Sequence, residues 1–201
     1  MYGPRYRALF ELLYGRAPTG LERSVIEAAE ERLGFPIPPP LRDFHLVCGG
    51  EDHLTSAYNI IVPPRLLERE DGRLVFCEEH QGVCVWGCTP WGENPDAEVG
   101  NVLPDDSLEW HAEGATLGSF LSVLVLLQTA WGGFEFVEQL PSSQAALVDA
   151  GIEWDRVVRH RELTIYVADG TVAAAFDDHP SITGAGRTAA HLERLMALTS
   201  P

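Results

Sequence analysis

TGLERSVIEAAEERLGFPIPPPLRDFHLVCGG, residues 19–50, reads as two short helices bent around a proline corner. Thr19 and Glu22 stand in the T-x-x-E spacing of a capping box, where each side chain satisfies a backbone N–H left free at a helix start, so a helix is expected to begin there. Leu21, Val25, Ala28, Ala29 and Leu33 recur at three- and four-residue steps and predict one apolar stripe, with Glu22, Arg23, Glu27, Glu31 and Arg32 facing water. Gly34 is the expected stop. The prolines at 38, 39 and 40 lack N–H donors and push the residues before them into extended geometry, so residues 35–39 leave the helix as a stiff connector. The last proline suits the first turn of a second helix, which carries Leu41, Phe44, Leu46 and Val47 and runs into Gly49-Gly50.

Outward from this corner, residues 1–16 interleave Arg5, Arg7 and Glu11 with Tyr6, Leu9, Phe10, Leu13 and Tyr14. That pattern predicts an amphipathic helix and not an export signal, because no uninterrupted apolar stretch or cleavage site follows the charges. Downstream, AYNIIV (57–62) predicts a strand closed by Pro63-Pro64, residues 74–77 and 83–86 a hairpin, and residues 99–103 a short strand. Thr116 precedes a helix predicted over 117–131 and ended by Gly132-Gly133. The longest apolar run, residues 120–127, is broken by Ser122 and falls far short of the ~20 residues of a membrane span, so a buried core helix is expected. A shorter helix from Ser142 or Ser143 through Val148 follows. Asp169-Gly170 then joins strands over 162–168 and 171–176, a pair that favours a tight turn with both residues at positive φ. A last helix is expected over about residues 187–198. Helices segregated from antiparallel hairpins argue for an α+β fold and against a doubly wound sheet.

Charge is distributed unevenly. Residues 1–50 carry six Arg and six acids, whereas residues 74–155 hold fourteen Asp or Glu and no cation, within a 201-residue chain of formal net charge −16. Such a block creates a field of one sign that repels nucleic acid and attracts basic partners. The alternative reading is a solvated acidic surface that merely keeps the protein soluble. Its densest part lies between Gly87 and Glu113, a connection rich in Gly, Pro, acids and Trp, where binding residues tend to sit. Trp91, Glu93, Asp96, Glu98, Asp105, Asp106 and Glu109 are the candidate partner-binding residues: tryptophan is over-represented among interface hot spots, and carboxylates meet Arg or Lys on a partner. Trp86 and Trp110 read instead as core residues.

No catalytic constellation is selected. Cys77, His80, Cys84 and Cys88 are of the types zinc prefers, but C-x2-H-x3-C-x3-C matches structural-zinc spacings poorly, and cysteine also behaves as a small buried hydrophobe. The seven histidines form no H-E-x-x-H pair, no G-x-S-x-G elbow occurs, and Gly184-Ala185-Gly186 lacks the strand and lysine of a phosphate cradle. The acidic pairs Glu78-Glu79, Asp105-Asp106 and Asp177-Asp178 read as solvated loop acids in preference to cation ligands. The expectation is a binding protein with no catalytic residue, no metal and no cofactor. Four cysteines in no paired framework, with no export signal, point to the reduced cytoplasm.

The order I-x-x-x-E-x-x-L-G, hydrophobic-Pro, short apolar helix and glycine, carried here by Ile26, Glu30, Leu33, Gly34, Ile37, Pro38, Leu41, Phe44, Gly49 and Gly50, resembles the opening of the SMI1/KNR4 (SUKH) superfamily. GRLVFCEEHQGVCVWG (72–87) resembles that family's central hairpin, and Asn94-Pro95, Val99, Trp110, Leu117, Phe120 and Leu121 follow in its usual order. Cys48-Gly49-Gly50 departs from the Asn-Gly that often ends the second helix. The resemblance implies a SUKH-like α+β domain: an antiparallel mixed sheet flanked by N-terminal helices and a central core helix. The resemblance covers about residues 19–131; the segment beyond, about 134–201, matches no part of that pattern and reads from its own hairpin and helix as an extension added to the sheet, in preference to a small separate unit. It also implies a non-enzymatic binding module, many bacterial members being immunity proteins that neutralise a cognate toxin, often a nuclease. The expected partner is a basic toxin domain, with neither nucleic acid nor membrane bound. A regulatory scaffold of the fungal SMI1/KNR4 type, binding a peptide or signalling protein, is the second reading, and a small metal-dependent hydrolase the third.

Overall fold

The amphipathic N-terminus forms helix α1 (Gly3–Tyr14), which buries Tyr6, Leu9, Phe10 and Leu13. In the computed structural model, which describes residues 2–89, 97–103, 109–141, 144–149, 152–177 and 179–199, the proline corner follows as helix α2 (Arg23–Leu33) and helix α3 (Pro39–Cys48). Gly34 ends α2 in the left-handed region, and Pro39 and Pro40 open α3. Glu30 fastens the corner, its Oε1 accepting the Ile37 N–H at 2.9 Å.

The capping box does not form. Glu22 is the N-cap of α2 and makes no side-chain cap bond. Thr19 is engaged elsewhere: its N–H donates to Glu51 Oε1 at 2.6 Å and its carbonyl accepts the Gly50 N–H at 3.0 Å. The chain before α2 is thereby pressed against the end of α3, close enough that a Cβ on Gly20 would collide with the Leu46 carbonyl oxygen. The helix starts later than its local signal indicates, and its buried face rotates to Ile26 and Ala29, leaving Val25 38% exposed.

A short helix α4 (Asp52–Thr55) leads into the first sheet. This contains β1 (Asn59–Ile61), β2 (Glu68–Glu70), β3 (Arg73–Glu79), β4 (Val85–Thr89), β5 (Glu98–Val102) and β6 (His111–Thr116). Its order is β1-β3-β4-β5-β6, with β2 also pairing with β3 and every pair antiparallel. Helix α5 (Leu117–Gln128) is buried along almost its whole length and unwinds through one π-type turn, Thr129–Gly133.

The C-terminal segment does not add a hairpin to this sheet, as the sequence predicts. It builds a second antiparallel sheet from β7 (Phe136–Leu140), β8 (Arg156–His160), β9 (Leu163–Ala168), β10 (Thr171–Phe176) and β11 (Ile182–Gly186), in the order β7-β11-β10-β9-β8. Helices α6 (Gln144–Asp149) and α7 (Ala189–Thr199) accompany it. Between β9 and β10 only Gly170 takes positive φ (61°), not both turn residues. The turn is shaped by tertiary bonds, Gly170 N–H donating to the Leu12 carbonyl at 3.1 Å and Arg187 N–H to the Gly170 carbonyl at 2.8 Å.

One apolar core runs from α1, α3, α5 and the first sheet to Leu163, Ile165, Val167, Val172, Ala174 and Ala185 of the second. The opposite face of the second sheet, with Tyr166, Ala173, Ala175 and Ile182, packs on Leu147 of α6 and Leu195 of α7. Strands β9 and β10 are therefore covered on both faces, which explains their near-continuous apolar sequence. The fold is α+β with antiparallel sheets, and among the described residues no helix is long and apolar enough to cross a membrane.

Candidate functional site

Where the edges of the two sheets meet above α5, side chains from both converge on Glu113. Its position on β6 turns it inward, and it is 7% exposed. Glu113 Oε1 accepts Trp86 Nε1–H at 2.8 Å from β4 and Asn101 Nδ2–H at 2.5 Å from β5. Its Oε2 faces His160 Nε2 at 3.2 Å and Arg161 Nη1 at 3.4 Å, both at the β8–β9 turn. Arg161 reaches it from a backbone φ of 53°, a left-handed conformation costly for a residue with a Cβ. Burial opposes ionisation of Glu113, but the hydrogen bonds from His160, Trp86 and Asn101 and the charge of Arg161 outweigh it and hold the carboxyl at about 2.

Above this group lies an open cleft of about 370 Å³. Phe120, Leu124 and Leu127 of α5 floor it; Tyr58, Trp131 and Phe176 form its outer wall; Glu79, Arg161 and Glu162 stand among its lining residues. Trp131 stacks on Tyr58 (centroids 5.5 Å apart, 30° between planes) and leans on Phe176 (6.3 Å, 52°). Gln128 sets Tyr58 in place: its Oε1 accepts the N–H groups of Tyr58 and Asn59, each at 2.7 Å, and its Nε2 donates to the Asn59 carbonyl at 2.5 Å. Tyr58 and Phe176 are nonetheless 41% and 47% exposed, a large apolar expenditure on the surface.

A second buried carboxylate, Glu51, works as a fastener. Arg16 grips both its oxygens at 2.9 and 2.6 Å, and Thr19 N–H adds the bond described above. The Arg16 bonds, against burial and with help from Thr19, hold it at about 2.

Of the residues chosen from sequence, Glu98 lies on β5 and Glu109 just before β6, both exposed and neither lining the cleft. Trp91, Glu93, Asp96, Asp105 and Asp106 lie outside the described residues. Trp86 is only partly buried and borders the cleft. Trp110 is likewise part-exposed, with the Arg73 guanidinium 5.0 Å above its ring. Among the described residues no three His, Cys, Asp or Glu side chains converge as metal ligands. Cys77 pairs in register with Trp86, not Cys84, and burial pushes the thiols up, Cys84 to about 11 and Cys88 to about 12. Sequence reasoning missed Glu113, His160 and Arg161. The available signal was the cluster RVVRHRE (156–162), which returns cations directly after the long acidic block.

Comparison with protein-family models, curated proteins and solved structures gives no match.

Proposed function

We propose that this chain is a non-enzymatic protein-binding module of the SMI1/KNR4 (SUKH) kind, an immunity-type protein that neutralises a cognate toxin by covering it. Its partner is a basic toxin domain, met in the cytoplasm. The observation that carries the reading is the cleft, in which exposed aromatic faces stand beside carboxylates while the central carboxylate is already fully hydrogen-bonded. A carboxyl held at about 2 is a poor proton acceptor near neutral pH, where a general base is tuned close to 7, so Glu113 is suited to organising a surface and not to moving protons.

Two further features support it. Glu78, Glu98, Glu109, Glu135, Glu138, Asp149, Glu153 and Asp155 of the acidic block are exposed, which favours rapid encounter with a cationic partner. The Glu30–Ile37 bond at the proline corner gives a physical task to the glutamate of the pattern that resembles the superfamily. The test is co-expression with the product of the adjacent gene. The expected results are rescue of growth from that product's toxicity and a purified complex that weakens as salt rises; no rescue, or binding indifferent to salt, removes the reading.

A further inference from the structure

We propose that the cleft between the two sheets is a receptor for one arginine side chain of a protein partner, an inference that rests on the reading of the chain as a protein-binding module and names what it grips. The lining supplies both halves of guanidinium recognition. Tyr58, Trp131 and Phe176 line it with aromatic rings, and Glu79 and Glu162 with carboxylates. Arg161 is the one guanidinium of the lining, and it is drawn to Glu113 at 3.4 Å. Glu79 uses Oε2 to accept the Gln81 and Val83 N–H groups at 2.8 and 3.4 Å. Glu162 is exposed and has no ion-pair partner among the described residues. The unopposed charge at the cleft is therefore negative.

Other occupants fit less well. An anion meets these carboxylates with its only cation already engaged. A neutral apolar group covers the aromatic wall but strips water from Glu162 without replacing it. Lysine satisfies the charge, yet its compact, strongly hydrated ammonium does not stack, whereas a guanidinium is planar, weakly hydrated and suited both to aromatic faces and to carboxylates. The molecule already uses this chemistry on itself, with Arg73 5.0 Å above the Trp110 ring and Arg16 4.9 Å above Phe10 while gripping Glu51. At about 370 Å³ the cleft also lies near the lower end of the ~300–1,000 Å³ typical of ligand pockets, room for one long side chain and not for a folded segment.

The experiment titrates the intact protein with the peptide acetyl-Gly-Arg-Gly-amide, with the same peptide carrying citrulline, which keeps the shape and loses the charge, and with the lysine peptide. Tryptophan indole N–H resonances report the site. Saturable shifts at Trp86 and Trp131 are expected, with the arginine peptide bound roughly tenfold more tightly than citrulline and ahead of lysine. Glu162→Gln and Trp131→Leu should each weaken it about fivefold. Glu162 is exposed, so its variant keeps the test decisive if Trp131→Leu fails to fold. Equal binding of citrulline, no saturation, or shifts confined to Trp110 and Trp154 overturns the proposal. Arginine binding without toxin neutralisation supports the receptor and removes the immunity reading. Neutralisation that persists while no peptide binds does the reverse.

Discussion

Glu51 and Glu113 are both buried carboxylates held at about 2, each beside an arginine, and they serve opposite ends. Glu51 is enclosed by Arg16 and a backbone N–H of the segment entering α2, so its bonds hold chain to chain. Among the described residues Glu113 is met by side chains, from β4, β5 and the β8–β9 turn, and those side chains border a cleft with exposed aromatic residues. A buried charge is therefore not by itself the mark of a site. What separates the two is what lies on the far side of the donors.

Acid exposes the shared part of this comparison and substitution the difference. Both carboxyls ionise in the folded protein well below the ordinary value of 4.5, so each contributes stability above pH 4.5 that is lost as pH falls towards 2. Each loss is expected to reach about 3 kcal/mol by linkage. Urea unfolding at pH 7, 4.5 and 3 should show it, with a shallower fall in the Glu51→Gln, Glu113→Gln double variant. At pH 7 Glu51→Gln and Glu113→Gln, each putting a neutral group where the carboxylate stood as protonation does, should each cost up to about 3 kcal/mol; Glu51→Gln should leave arginine-peptide affinity untouched, whereas Glu113→Gln should weaken the peptide by releasing Arg161. If both variants change affinity alike, the division between fastener and site fails.

His45 sharpens the contrast because it is buried without any such partner. It is 1% exposed, and among the described residues neither ring nitrogen is hydrogen-bonded. Burial lowers it from 6.5 to about 4. The folded state thus keeps it neutral while the unfolded chain takes a proton below pH 6.5, so stability is complete above 6.5 and declines as pH falls to about 4, by up to about 3 kcal/mol. This window precedes that of the carboxylates. His45→Leu should flatten the decline between pH 6.5 and 4.5, leaving the part that belongs to His53, whose ionisation burial also lowers, and spare the one below; an unchanged upper slope shows that His45 is not responsible.

Legibility in the sequence followed the range of the forces involved. Gly34, Pro40 in the first turn of α3 and the pairing of β3 with β4 act within a few residues and appear as expected, although α3 opens one residue early, at Pro39, and β4 runs over Val85–Thr89 and not 83–86. The start of α2 did not, because Thr19 is claimed by Glu51, 32 residues away. Strand β11 is hidden in the sequence, since ITGAG carries few strand-forming side chains and presents itself as a lone G-x-G. Its second glycine is required by packing: a Cβ on Gly186 would stand 2.6 Å from the Leu192 backbone nitrogen and 2.9 Å from the Thr188 carbonyl oxygen. The cleft was the least legible feature, because Glu113 and His160 lie 47 residues apart and meet only where separate sheets abut. The acidic loop stands out by composition, which reports charge density and not which carboxylate a neighbouring strand will cover.

The smallest test concerns a polar atom at the other extreme from Glu113. The Tyr6 ring packs edge-on against Phe44, with centroids 5.8 Å apart, and among the described residues its buried hydroxyl has no hydrogen-bond partner. Burial pushes its ionisation far above the ordinary range, so the group is neutral at every workable pH and contributes no titration of its own. Tyr6→Phe removes an unsatisfied group and keeps the ring, and it should stabilise the protein by up to about 1 kcal/mol, whereas Trp86→Phe, which strips a donor from Glu113, should cost about 1 kcal/mol. Thermal melts of the two variants decide the point. A loss of stability in Tyr6→Phe comparable to that in Trp86→Phe would mean that the hydroxyl is bonded in solution, and that partnered and unpartnered polar atoms in this core do not differ as the geometry implies.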